Sequence, residues 1–326
     1  MSEFSISDIV DLFRSKDNFV LISHTNPDGD TVGCTYAVYL ILKKLGKRVR
    51  CLCDKQIPAR LAFICPEGIY DSRTDIAEDE YVITLDVASP NMLGRSLEAY
   101  ADRVDLRIDH HGKSTPFAKI NYVEPSASAC AEIIFEIGAA LNVIDPAIAS
   151  AIFSALSSDT GCFRYSNTTA RTHMTAAYLI SLGANASEIN EALFDTVTYS
   201  ELAIYPIFLN NCERLYNGRV NIVALTNDEK AKYGITDADL DELSSLSRKT
   251  AGTNLGVVIK QVDDNETEFK VSMRSRKPVD CSVICASIGG GGHTRASGAT
   301  ITANSIDSAK AIVLSAIRKF LEFDEQ

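Results

Sequence analysis

Short apolar runs of strand length alternate with helical stretches through the first half of this chain, and few folds accept that order. Residues 19–23 read as a buried strand, and 48–53, 81–86 and 105–109 are further strand candidates. Asp30 fits an N-cap for a helix over 31–45 that stops at Gly46. Residues 128–141 and 146–157 also read as helices, the second with Pro146 in its first turn. Strands separated by helices specify an α/β fold with a doubly wound, mainly parallel sheet. In such sheets functional groups gather beyond the carboxyl ends of the strands. Each acidic motif of this chain falls at the end of a strand-like run, or, for Asp159, at the end of a helix.

A helix at 168–182, stopped by Gly183, is followed by a largely helical stretch. From Arg219 the pattern restarts, with strands at 220–225, 255–262 and 268–273 and helices near 237–247, 279–288 and 306–323. The 326 residues suit two domains. The expected organisation is a first domain over 1–186, a helical linker over 187–217 and a smaller α/β domain over 218–326.

Composition narrows the class. No apolar run reaches the roughly 18–20 residues of a membrane span, and the polar start Met1-Ser2-Glu3 lacks a signal-peptide profile. The nine cysteines are odd in number and scattered from Cys34 to Cys285, which favours buried free thiols and a cytoplasmic protein. A net charge of −11 leaves no basic surface for long duplex nucleic acid. Phosphate would be handled in a local pocket by metal ions and a few arginines, which suits short or mononucleotide-like substrates.

Four of the five histidines, His24, His110, His111 and His293, stand in acidic or glycine-rich clusters, whereas His173 reads as an ordinary helical residue. Asp28, Asp30, Asp86 and Asp159, if brought together, would repel one another and some would protonate. Two divalent cations would neutralise them. Mixed imidazole and carboxylate ligation suits Mn²⁺, with Mg²⁺ or Co²⁺ as alternatives, while a structural zinc site prefers cysteine. His24 ends a strand, and the loop through Pro27 and Gly29 lets Asp28 and Asp30 point to neighbouring metals. Asp86 is a candidate bridging carboxylate, His110 would join Asp30 and Asp159, and Asp109 would orient a histidine. Arg164 and Asn167, just beyond Asp159, are placed near the same site without a role.

The stretches His24-Thr25-Asn26-Pro27-Asp28-Gly29-Asp30, Asp86-Val87-Ala88-Ser89-Pro90, Asp109-His110-His111 and Ser158-Asp159-Thr160-Gly161-Cys162-Phe163 resemble the four motifs of the DHH phosphoesterase superfamily. Gly289-Gly290-Gly291-Gly292-His293-Thr294-Arg295-Ala296-Ser297-Gly298 resembles the signature of its associated C-terminal domain. Length and that signature are nearest the bacterial nanoRNase and pAp-phosphatase (NrnA-like) branch. The resemblance implies one Mn²⁺ on His24, Asp28 and Asp86, and another on Asp30, Asp86, His110 and Asp159. It also implies two-metal attack on phosphorus. His111, with Asp109, is then the catalytic candidate, touching the scissile phosphate or leaving oxygen as stabiliser or general acid. The C-terminal domain would hold the rest of the substrate. There Gly290, Gly291 and Gly292 admit phosphate to backbone amides, His293 and Arg295 supply donors, and Arg274, Ser275 and Arg276 form a second anion clamp.

The expected activity is hydrolysis of very short 5′-phosphorylated oligoribonucleotides to nucleoside monophosphates, and of pAp to AMP. Alternatives are pApA or cyclic di-AMP as substrate, and inorganic pyrophosphate, against which the four-glycine signature speaks. The resemblance allows a homodimer, and with no apolar run of membrane length no membrane partner is expected.

Overall fold

All four residues of the first strand, β1 (Phe19–Ile22), are buried, so both of its faces carry core. Phe19 and Leu21 join one hydrophobic cluster, Val20 and Ile22 another. A parallel sheet covered on both faces produces this pattern, and it is why the strands read as unbroken apolar runs. The computed structural model describes residues 4–71, 74–112, 114–197, 199–235, 237–263 and 265–320.

With β2 (Val49–Leu52), β3 (Tyr81–Leu85), β4 (Leu106–Asp109) and β5 (Ile120–Val123), β1 forms a five-stranded sheet ordered β2-β1-β3-β4-β5. Every pair in it is parallel. The strand order reverses direction between β1 and β3, which opens a crevice at their carboxyl ends. His24 follows β1, Asp86 follows β3 and Asp109 closes β4, so three motifs meet at that edge. One face is covered by helices α1 (Ile6–Ser15), α2 (Gly29–Lys44), α3 (Cys130–Leu141), α4 (Pro146–Asp159) and α5 (Ala170–Ser181), followed by the short α6 (Ala186–Asn190). The other face is closed by 3-10 turns at Pro90–Leu93 and Glu98–Arg103, which supply Leu93 and Leu97 beside Val104.

The approach of α2 to α4 brings Asp159 near the other acids, and two glycines permit it. A Cβ on Gly29 would stand 2.2 Å from Ser158 Oγ, and one on Gly33 would stand 2.6 Å from the Ala151 carbonyl oxygen and 2.8 Å from Ala155 Cβ. Gly29 is thus the first residue of a helix pressed against its neighbour, not the turn residue expected above. Gly33→Val must push the helices apart and is expected to cost about 1–3 kcal/mol as an overpacked core site. An unchanged urea midpoint for that variant would show that the contact is not tight.

The chain divides into two compact units, Met1–Thr196 and Val197–Gln326. The second comprises α7 (Tyr199–Asn211), β6 (Cys212–Leu215), β7 (Val220–Leu225), α8 (Asn227–Tyr233), α9 (Asp237–Lys249), β8 (Leu255–Val262), β9 (Asn265–Ser275), α10 (Cys281–Ala286), β10 (Gly291–His293), β11 (Ala296–Thr302) and α11 (Ile306–Phe320). Its sheet runs β10-β11-β9-β8-β7-β6 and is antiparallel except for β7 with β8. Inward residues of β7, β8 and β9 pack on α10 and α11, while Val223, Leu225 and Val258 pack on α7 and α9. Residues 212–215, expected to be helical, form a strand because they pair with β7. The last expected helix ends at Phe320, and residues 321–323 lie outside the described residues.

All nine cysteines are free thiols. Among the described residues no helix is long and apolar enough to cross a membrane.

Candidate metal centre

Asp86 sits at the end of β3 with its backbone in the left-handed region, φ 59°. A residue other than glycine is held there only by its surroundings. Its Oδ2 accepts from Thr31 Oγ1 at 2.7 Å and lies 3.9 Å from His24 Nε2. Its Oδ1 is buried without a hydrogen-bond partner, 3.6 Å from His110 Nε2 and 3.5 Å from His111 Nδ1. The two oxygens of one carboxylate therefore face two different histidine groups.

Around Oδ2, His24 Nε2 lies 3.8 Å from Asp28 Oδ1. Asp28 is also the cap of α2, accepting from the Thr31 amide at 3.0 Å. That corrects the expectation that Asp30 caps this helix, which starts two residues earlier. Asp30 lies in its first turn, buried, and caps a different helix. It accepts from the amides of Cys130 and Ala131 at 2.7 and 3.1 Å, and from Cys34 Sγ at 3.2 Å. Ala129, at the start of α3, has no side chain able to do this. Around Oδ1, His110 Nε2 lies 3.8 Å from both Asp30 Oδ2 and Asp159 Oδ2. His110 Nδ1 faces the Ala127 carbonyl at 3.3 Å, which puts the proton there and leaves Nε2 as a donor atom for a metal.

Two triads thus form, His24 with Asp28 and Asp86, and Asp30 with His110 and Asp159, each with its ligand atoms close enough to hold a metal ion. A third overlapping group joins Asp86, His110 and His111. The gaps of 3.6–3.9 Å between imidazole nitrogens and carboxylate oxygens exceed a hydrogen bond. An ion about 2.0–2.2 Å from each donor spans them. The charges point the same way. Burial, then the charges of Asp159 and Asp28, push Asp30 well above the usual carboxylate range. Burial, then Asp30 and Asp28, do the same to Asp86, and burial raises Asp159. Burial also raises Asp28, but the nearby His24 imidazole and the hydrogen bond from the Thr31 amide outweigh it and leave that carboxyl low. Unpartnered oxygen and mutually repelling acids are what bound cations would relieve.

Behind this cluster, Asp109 Oδ1 accepts from His111 Nδ1 at 2.7 Å and from the amides of His110 and His111 at 2.8 and 3.2 Å. Its Oδ2 accepts from Arg107, whose guanidinium also donates to the Thr115 carbonyl at 3.2 Å. Arg107 and Asp109 are both fully buried. Burial raises Asp109, but His111 and Arg107 together hold it down at about 2. The hydrogen bond to Asp109 lifts His111 to about 9. Asp109, grouped above with the catalytic candidates, is fully buried and hydrogen-bonded to the ring of His111, whose side chain is 42% exposed.

In the second unit the glycine run leads into a hairpin. Gly291–His293 is an edge strand paired with β11. Gly290 and Gly292 are required for close backbone packing, since added Cβ atoms would lie 2.1 Å from the Gly298 carbonyl oxygen and 2.8 Å from that of Ala296. Around Gly291 there is open space. Ser275 is buried, its hydroxyl donating to the carbonyls of Val279 and Thr294, so it braces the hairpin instead of facing ligand. Arg295 donates to the Val279 carbonyl. Ala296 pairs with both Arg274 and His293, which puts those two on one face of the sheet across a small residue.

The sequence reading missed Arg107, because a charged residue in a short strand suggests a solvent-facing position. It also missed the Cys130 and Ala131 amides, which carry no side-chain signal.

This sheet and its acids belong to a hydrolase. The chain belongs to the DHH family: residues 18–156 match the DHH family N-terminal domain and residues 218–319 the DHHA1 domain. It is 30% identical over 305 residues, 92% of this chain and 89% of the relative, to the bifunctional oligoribonuclease and PAP phosphatase NrnA of Thermus thermophilus. The cyclic-di-AMP phosphodiesterase PdeA of Listeria monocytogenes is 24% identical over 94% of this chain and 48% of that protein. The fold matches the crystal structure of an exopolyphosphatase-related protein from Bacteroides fragilis, with a TM-score of 0.85, 22% identity, and coverage of 97% of this chain and 96% of that one.

Proposed function

We propose that this chain is a Mn²⁺-dependent phosphoesterase that hydrolyses very short oligoribonucleotides to nucleoside monophosphates and pAp to AMP. The observation that carries this reading is Asp86, with one oxygen turned to the His24 and Asp28 group and the other, unpartnered, to His110. His24, Asp28 and Asp86 would hold one cation, and Asp30, Asp86, His110 and Asp159 the other. Oxygen and imidazole donors without thiolate suit Mn²⁺ or Mg²⁺. Such a pair supplies Lewis acidity at the phosphoryl oxygens and a nucleophile at neutral pH.

The chain's own residues do the rest. The Asp109 hydrogen bond holds the His111 ring by Nδ1 and leaves Nε2 for the scissile phosphate or the departing oxygen. In the second unit, Arg274 and His293 flank Ala296 on one sheet face and would bind a substrate phosphate there, with amides near Gly291 accessible beside them. The similarity to NrnA of Thermus thermophilus along nearly the whole chain supports this substrate class. Nine unpaired thiols agree with a cytoplasmic setting.

The similarity to PdeA favours a second reading, hydrolysis of cyclic di-AMP or pApA. Product release from pAp, a 5′-labelled RNA dinucleotide, cyclic di-AMP and pyrophosphate, each with and without Mn²⁺, separates the readings. The first reading requires Mn²⁺-dependent turnover of the first two substrates. Preference for cyclic di-AMP would favour the second, and preference for pyrophosphate would overturn both. His111→Ala is expected to lose about 10²-fold or more in turnover, the usual contribution of a positioned acid or base. It should still bind both cations, and a normal rate would remove the role assigned to it.

A further inference from the structure

Asn167 lies in the turn after α4, and its side-chain Nδ2 faces only acceptors: the Ser128 carbonyl at 2.9 Å, the Asp159 carbonyl at 3.1 Å and Asp159 Oδ2 at 3.3 Å. Its Oδ1 is buried and meets no donor. Turning the amide over would set Oδ1 against those three oxygens, so the orientation is fixed by its surroundings. Leaving a buried carbonyl unsatisfied is costly, and the fold accepts that cost in order to aim the NH₂ at Asp159.

The other end of this bridge is equally fixed. Ser128 is buried, and its hydroxyl donates to Glu132 Oε1 at 2.7 Å and accepts from Thr172 Oγ1 at 3.0 Å. Glu132 is in turn paired with Arg171 at 3.2 Å. Two residues beyond Ser128 begin the amides that grip Asp30. Asn167 therefore spans from the segment that anchors Asp30 to the carboxylate of Asp159. Those are the two acids that flank His110. An amide can hold Asp159 without neutralising it, whereas a lysine or arginine in its place would compete with a cation for the same oxygen.

We propose that Asn167 is the positioning residue of the Asp30–His110–Asp159 metal position. It sets the separation of the two acids and with it the affinity of that position for a divalent cation. This rests on the two-cation reading above but not on any substrate. The test is calorimetric titration of Mn²⁺ into metal-free wild type, Asn167→Ala and Asn167→Leu, the last keeping the side-chain volume. Loss of an orienting partner typically weakens metal binding about 10–100-fold. That fall is expected at one of the two positions in both variants, with the other unchanged.

A general structural defect would weaken both positions together, and that result, or no change at either, would overturn the assignment. Asn167→Ser serves if neither of the other two variants folds, and is held to the same split between positions. If wild type takes up two cations yet the variants show no split, the assignment to Asn167 fails alone. If wild type takes up no second cation, the two-cation reading fails with it.

Discussion

Asp86→Asn is expected to lose about 10³-fold in turnover and yet to yield a metal-free protein that is more stable than wild type. The first effect follows from the removal of a charge that the two proposed metal positions would share. Loss of a single preorganised electrostatic contact commonly costs about 10²–10³-fold, and Asp86 would serve two such contacts. The second follows from its surroundings. Asp86 is buried among carboxylates, one of its oxygens lacks a partner, and its charged form is disfavoured there. Asparagine keeps the shape and the acceptor for Thr31 Oγ1 while removing the repulsion.

Thermal unfolding with and without Mn²⁺ measures both effects of metal on stability. At a cation concentration 100 times its dissociation constant, the wild type should gain about 2.7 kcal/mol from binding to the folded state. Asp86→Asn should gain far less. A metal-free variant less stable than wild type would mean that Asp86 is held by structural bonds and not poised for cations.

Arg107→Met is expected to destabilise the protein by about 3–5 kcal/mol, the usual consequence of stripping one partner from a buried ion pair. Arg107 and Asp109 are completely buried against each other, and the guanidinium lies 5.6 Å from the Phe117 ring centroid. Removing it leaves the buried Asp109 carboxylate with only the amides and His111 to balance its charge. The double variant Arg107→Met with Asp109→Leu separates stability from function. An apolar pair of similar volume should recover most of the lost stability. It should not recover turnover, because His111 then has no carboxylate to fix its ring. Urea midpoints and initial rates measured on both variants decide this. A double variant as active as wild type would show that Asp109 contributes nothing to the position of His111.

The cluster of His24, Asp28, Asp30, Asp86, His110 and Asp159 was legible in the sequence because imidazoles and carboxylates gather there at the ends of elements, and the sheet because strands buried on both faces leave an unbroken apolar trace. Less visible was anything set by backbone. β5 is only half-buried and follows a polar loop, so Ile120–Val123 gave no clear run. The hairpin of β10 and β11 is built on glycines and threonines, whose pairing with β9 is a tertiary fact. The exchange of roles between Asp28 and Asp30 turns on two residues at the start of the helix, where Gly29 stands close to Ser158. Ser275 looked like a ligand for anions because serine is polar, but its burial commits the hydroxyl to the Val279 and Thr294 carbonyls.

Anomalous diffraction from crystals grown in Mn²⁺, recorded on both sides of the manganese absorption edge, tests the two-cation centre most directly. Two peaks are expected on either side of the Asp86 carboxylate, one within bonding distance of His24 and Asp28, the other within bonding distance of Asp30, His110 and Asp159. Well-diffracting crystals with no anomalous density at Asp86, or with manganese bound only elsewhere, would contradict it.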